Sequence, residues 1–265
     1  MAERKSTSGS WLLHIVVALT MVFLIGPLLV VVITSFSASS SLSFPPESFS
    51  LRWYEQVLAN REWRVSFSLS FLLALLAIPT VAVLALLGGY GLVRGRFRGH
   101  GAVQAFLMSP LMVPEIMLGI GLLTYLQSLG LINTIGGLWL AHSLVALPFG
   151  LRAVMNSATS LDPQIEASAA SLGAGPVRVF LTVTLPQLVP GLISAGVFAA
   201  VISLGEVAVS TFIAGANTTT VPLRVLSAVQ FELDPSAAVV STLLMAISVV
   251  VILVLERFVR ISNHL

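Results

Sequence analysis

The sequence predicts an all-α polytopic membrane protein with six transmembrane helices and a short helix on a long loop between the fourth and fifth. Three observations carry this: too little charge for a water-facing surface, six apolar stretches of spanning length, and an asymmetric distribution of arginine. Of 265 residues, 57% are hydrophobic and only 9% charged, with a mean hydropathy of +1.01. A soluble domain carries about a quarter of its residues as charged groups, so lipid must solvate much of this chain. A hydrocarbon core about 30 Å thick needs roughly 20 apolar helical residues. Stretches near 11–34, 66–93, 102–127, 135–157, 191–214 and 237–256 meet that length. The first follows Arg4 and Lys5 but is too long for a signal-peptide core, so it reads as an uncleaved span.

With the N-terminus inside, nine of the thirteen basic residues fall on inner segments, among them Arg94, Arg96, Arg98, Arg152 and Arg178. The positive-inside rule then places both termini in the cytoplasm. The organisation is a tail at 1–10 and a transmembrane domain at 11–265, which includes an outer loop at 35–65 and an inner loop at 158–190. In the outer loop Leu51, Tyr54 and Leu58 share a helical face, and Trp53 and Trp63 suit an interfacial belt. Tyr125 and Trp139 read as interface anchors in the same way.

Several chemistries are excluded. There is no cysteine, so no disulfide or thiolate site exists. The one lysine is Lys5, so there is no phosphate-binding P-loop, and any ATP must be bound by another chain. The charge pattern gives no reason to expect nucleic acid. His142 precedes Ser143, but no Gly-x-Ser-Gly nucleophile turn accompanies them, so His142 reads as a hydrogen-bonding residue facing other helices. No catalytic and no metal-ligating set emerges.

Two acids fall within the spans. Glu115 follows Pro110 and Pro114 and opens a half-helix, and Glu206 lies in the fifth span with Ser203 and Ser210 one turn away. An ionised side chain at mid-membrane costs at least about 2.5–3.5 kcal/mol, so both are expected to face a bundle interior or a wet cavity. They are the candidates to line a path that attracts a cation; the alternatives are protonated or hydrogen-bonded packing residues with no substrate contact, or the ion relay of a secondary carrier. A carrier is expected to show an inverted repeat, and none is visible here.

The inner loop carries the most specific signal. Asp162 is a good N-cap and Pro163 a good first helical residue, followed by an Ala-rich helix that Gly173 stops. After Gly173 and nine intervening residues come Val183, Thr184, Leu185 and Pro186. This spacing, with Leu172 before the glycine, resembles the signature of ATP-binding-cassette importer permeases. Gly173 then sets the signature's glutamate at Ala167 and its two alanines at Ser168 and Ala169, with Glu166 one position early. Either Glu166 does the acid's work from about 100° around the helix, or the chain lacks that contact. Residues 42–54 (LSFPPESFSLRWY), 113–119 (VPEIMLG), 218–224 (TTTVPLR), 233–235 (LDP) and 241–243 (STL) resemble the spermidine/putrescine-type subfamily, which extends the likeness over roughly 20–258.

The resemblance implies a subunit with no ATPase site of its own, in a bacterial inner membrane. ATP and Mg would sit on two partner ATPase subunits, docked through Asp162, Glu166, Ala169, Leu172, Gly173, Leu185 and Pro186. It further implies a second permease subunit and an extracytoplasmic solute-binding protein. Trp53, Glu115, Ser203 and Glu206 would line the substrate path. The implied solute is a polyamine or related small amine, with amino acid, phosphonate and iron as the other solutes of that subfamily. Gly205 stands where the pattern often has Asp, and one acid fewer suits a monocation or zwitterion as well as spermidine.

Overall fold

The structure is a computed structural model that describes residues 10–41, 43–232 and 235–262. The tail residues 1–9, with Arg4 and Lys5, and Leu42, Leu233 and Asp234 of the family pattern lie outside the described residues. Among the described residues the chain is helical, with one isolated β-bridge between Ser37 and Phe49. Among the described residues five helices are long and apolar enough to cross a membrane, and a bent helix pair makes up to six. The chain divides into two compact units, Met1–Arg61 with Ser227–Leu244, and Glu62–Leu226 with Met245–Leu265.

In the first unit, α1 (Ser10–Ser35) has a mean hydropathy of 3.0 and buries none of its apolar window. After it the chain is pinned by polar contacts. Ser35 Oγ lies 2.8 Å from the Tyr54 hydroxyl, Phe36 stacks on Tyr54 with centroids 5.2 Å apart, and the Trp53 indole donates to the Ser39 carbonyl at 3.0 Å. Helix α2 (Arg52–Ala59) buries Val57, while Leu51 and Leu58, read with Tyr54 as one helical face, are exposed.

In the second unit, α3 (Arg61–Arg94), α6 (Ile135–Thr159) and α9 (Leu185–Gly205) share a ladder of apolar layers. Ala77, Val81, Ala146 and Ala199 form one layer, and Ala85, Val154 and Ala195 the next. Small side chains at such contacts let backbones approach, the main source of helix association where lipid is as apolar as the core. A Cβ on Gly191 of α9 would stand 2.6 Å from Ser157 Cβ and 3.2 Å from the Ala153 carbonyl of α6. Gly191→Val is therefore expected to destabilise the protein by about 1–3 kcal/mol or more. A fall of several degrees in the melting temperature of the purified protein checks it, and an unchanged value refutes the close approach.

The third apolar stretch, expected as one span, is α4 (His100–Met108), a 3₁₀ turn at Ser109–Leu111 and α5 (Glu115–Ser128), bent by 101°. Pro110 and Pro114 each lack a backbone donor, and a proline disfavours the helical region for the residue before it; Ser109 stays helical before Pro110, and the helix is interrupted just before Glu115, at Pro114. Past α6 come α7 (Pro163–Ser171), α8 (Pro176–Val179) and a π-helical segment at Phe180–Thr184 that runs into α9. Helix α9 stops at Gly205, so Glu206 sits at a break rather than inside a span ending near 214. Short α10 (Ser210–Ile213) and α11 (Val221–Ser227) follow, and α12 (Ser236–Ser262) is the last helix.

Candidate functional site

Two sites stand out in the second unit. The first is the segment around α7. The Asp162 carboxylate accepts from the Gln164 N–H at 2.9 Å, with Pro163 next in the first turn. At the other end Gly173 takes φ 88°, its N–H donates to the Ala170 carbonyl at 3.0 Å, and the Ala174 N–H donates to the Ala169 carbonyl at 3.2 Å. That pair of bonds is the Schellman closure, and it requires the left-handed glycine. Both ends of α7 are thus fixed by the residues the sequence singles out.

Glu166 is turned inward. Its carboxylate accepts from Thr184 Oγ1 at 2.7 Å and from the Tyr90 hydroxyl at 3.4 Å, and it pairs with Arg94 at 3.2 Å. Arg94 also donates to the Leu161 carbonyl at 3.4 Å. Beneath this polar node Ala158, Leu161 and Leu188 form an apolar cluster packed on by Leu86, Tyr90 and Val93. So α7 is tied both to the end of α3 and to the start of α9. The outward side is apolar: Leu172 is 90% exposed, Val177 70% and Ile165 47%. Leu185 is half-buried and Pro186 exposed, at the first turn of α9. Exposed leucine beside a charge-poor, Ala-rich surface is a patch that another protein can cover.

The second site is a cavity of about 540 Å³ that Glu115 and Glu206 both line. Its walls are otherwise largely apolar, with Val145, Phe149, Ile202 and Phe212 among them. Glu115 is the first residue of α5, just past Pro114, where the helix dipole favours a negative charge. Glu206 is 5% exposed, and its carboxylate accepts from the Val209 N–H at 2.7 Å. It caps the turn that follows the helix break.

The other expected path residues make contacts of their own. Ser203 is buried and does not line the cavity; its hydroxyl meets His142 Nδ1 at 2.9 Å. Trp53 belongs to the first unit and is fixed by Ser39, with Arg52 over its ring at 4.7 Å. Two tryptophans make specific contacts within the second unit. The Trp139 indole donates to the Leu76 carbonyl at 3.2 Å and Thr80 Oγ1 at 3.1 Å, so it ties α6 to α3. Trp63 is buried beneath the Arg224 guanidinium, 5.8 Å from its ring, where a belt residue was expected. Arg224 in turn binds Ser66 Oγ and the Glu62 carboxylate. The inward contacts of Glu166 are what sequence reading missed. The signal was the i, i+4 pair Tyr90 and Arg94 at the end of the second span, one face of a helix with two donors and no acid of its own.

No protein-family model matches this sequence. The putrescine transport system permease protein PotI of Escherichia coli K12 is 32% identical over 240 residues, 87% of this chain and 84% of that protein. The chain belongs to the permease subunits of ATP-binding-cassette importers, of the spermidine/putrescine type. The molybdenum transport system permease protein ModB of the same organism is 31% identical over 78% of this chain and 98% of its own length. A solved bacterial alginate ABC transporter, in complex with an alginate-pentasaccharide-bound periplasmic protein, has the same fold. It has a TM-score of 0.70 at 16% identity, over 96% of both chains.

In this permease the Glu166–Arg94 pair, with its side chains 21% and 24% exposed, ties α7 to α3. Glu166→Gln keeps an acceptor for Thr184 but removes the ion pair, and is expected to cost about 1–2 kcal/mol. A double-mutant cycle with Arg94→Gln, read by thermal unfolding, should show a coupling of about 1 kcal/mol. Additive losses would mean that the two side chains do not act on each other.

Proposed function

We propose that this permease moves a small cationic amine, a polyamine or a related amine, through the cavity between Glu115 and Glu206. One observation carries the reading: two carboxylates converge on one otherwise apolar cavity in a family whose putrescine member is 32% identical. A wet pocket with a negative charge at each of two walls favours a cation, and apolar walls between suit the methylene part of an amine. Trp53 is the aromatic that would meet the solute on the outer side.

The same reading assigns the rest of the machine. Helix α7 is the coupling helix, on the cytoplasmic side, with both termini inside. Leu172 and Ala169 face a groove on a partner ATPase, one of two that hold ATP and Mg. A second permease subunit, identical or homologous, completes the path, and an extracytoplasmic binding protein delivers the solute. Because Glu166 is engaged within the chain, the docking contact rests on apolar side chains and helix ends rather than on that acid.

The test is ATP hydrolysis by the assembled complex in lipid nanodiscs, with a panel of binding proteins loaded with putrescine, spermidine, an amino acid, a phosphonate, iron or molybdate. Stimulation by the amine-loaded protein is the expected result. Stimulation only by another solute removes the amine assignment, and accumulation by the chain alone on an ion gradient would remove the importer mechanism.

A further inference from the structure

We propose that His142 is a positioning residue: it staples the two sides of the break after α9 to α6 and so aims Glu206 at the cavity. Helix α9 ends at Gly205, the backbone is extended at Glu206 (φ −71°, ψ 118°), and helix resumes only at Ser210. Such a break leaves a short segment with few backbone bonds of its own. His142, on α6, is fully buried. Its Nδ1 lies 2.9 Å from Ser203 Oγ, before the break, and its Nε2 lies 2.9 Å from Ser210 Oγ, after it. Both serines are buried as well.

One imidazole therefore fixes the ends of the segment 203–210 against a single point on α6. Whichever ring nitrogen carries the proton, a serine hydroxyl can accept from it or donate to its partner, so both bonds are satisfied in either tautomer. The surroundings are apolar, with Leu138, Ala141, Val145 and Val209 in the adjoining core layer. A satisfied polar network in such a core rigidifies one arrangement, because any other strands buried polar groups. The arrangement fixed here is the one in which the Glu206 carboxylate caps Val209 and lines the cavity. The purpose assigned to the staple rests on the proposed substrate path; its geometry does not.

The experiment uses the complete importer in nanodiscs and exploits a chain without cysteine. Ala208→Cys puts a thiol on the cavity wall, and Ser128→Cys puts a control thiol at the exposed end of α5. Maleimide labelling is timed in each, alone and combined with His142→Leu, Ser203→Ala or Ser210→Ala. The expected result is labelling at position 208 at least about fivefold faster when either end of the staple is cut, with position 128 unchanged. Rates at 208 within about twofold of the parent in all three backgrounds, or equal rises at both positions, overturn the proposal. If His142→Leu does not assemble, the two serine variants decide it, since each cuts one bond and leaves the ring. Putrescine uptake by Glu206→Gln is measured alongside: intact uptake would remove the path reading while leaving the labelling result to stand on its own.

Discussion

Leu172→Asp is expected to strip the ATPase subunits from the purified complex while the permease itself folds as before. The side chain is 90% exposed, so the permease fold does not depend on it. A single leucine at the tip of a docking helix is the type of contact whose loss costs about 2–4 kcal/mol, or roughly 30- to 1,000-fold in affinity. A carboxylate adds the cost of a charge left without a partner in the groove. The measurement is the ratio of ATPase to permease after affinity purification, with the melting temperature of the permease as control. Full co-purification would show that α7 is not where the ATPase grips. Glu166 makes an informative contrast, because its contacts with Arg94, Thr184 and Tyr90 are internal. Glu166→Gln should leave assembly intact and affect stability instead.

The second large effect is expected at the cavity. Glu206→Gln preserves the shape of the side chain and an oxygen that can accept from Val209, and removes only the charge. Loss of one charged contact to an ammonium group is worth about 1.5–3 kcal/mol, so the apparent KM for putrescine uptake should rise roughly 10- to 150-fold. Glu115→Gln should act in the same direction, more weakly, because Glu115 is exposed where Glu206 is buried. Basal ATP hydrolysis should be unchanged in both. Unaltered uptake of a cationic solute in both variants would end the assignment of these carboxylates.

Much of this was legible in the sequence because the signals were local. Asp162, Pro163 and Gly173 act through bonds to their own neighbours, so the ends of α7 could be read without knowledge of what surrounds it. Glu115 was placed correctly at the start of a half-helix because Pro114 dictates the backbone there. The failures are all decided at a distance. Hydropathy measures apolar length and does not see a break, so the fifth span was set at 191–214 although α9 stops at Gly205. That stop depends on a carboxylate folding back onto Val209 and on an imidazole from another helix. Trp63 looked like a belt residue because an indole's amphipathic character is visible in sequence, whereas the guanidinium that covers it is not. Ser203 was proposed for the path from its spacing to Glu206, but the structure gives its hydroxyl to His142.

The π-helical stretch Phe180–Thr184 has a consequence for anyone who draws Pro176–Gly205 as one regular cylinder. A π turn holds one more residue than an α turn, which retards the phase of everything after it by about 100°. A helical wheel begun at Pro176 with uniform steps would thus assign the wrong azimuth to every residue of α9. Deleting one residue of the stretch would remove the surplus and leave Ser203 facing its imidazole; forcing all five residues into regular α-helix is the change that would spin Ser203 away and turn the lining of the cavity to face elsewhere.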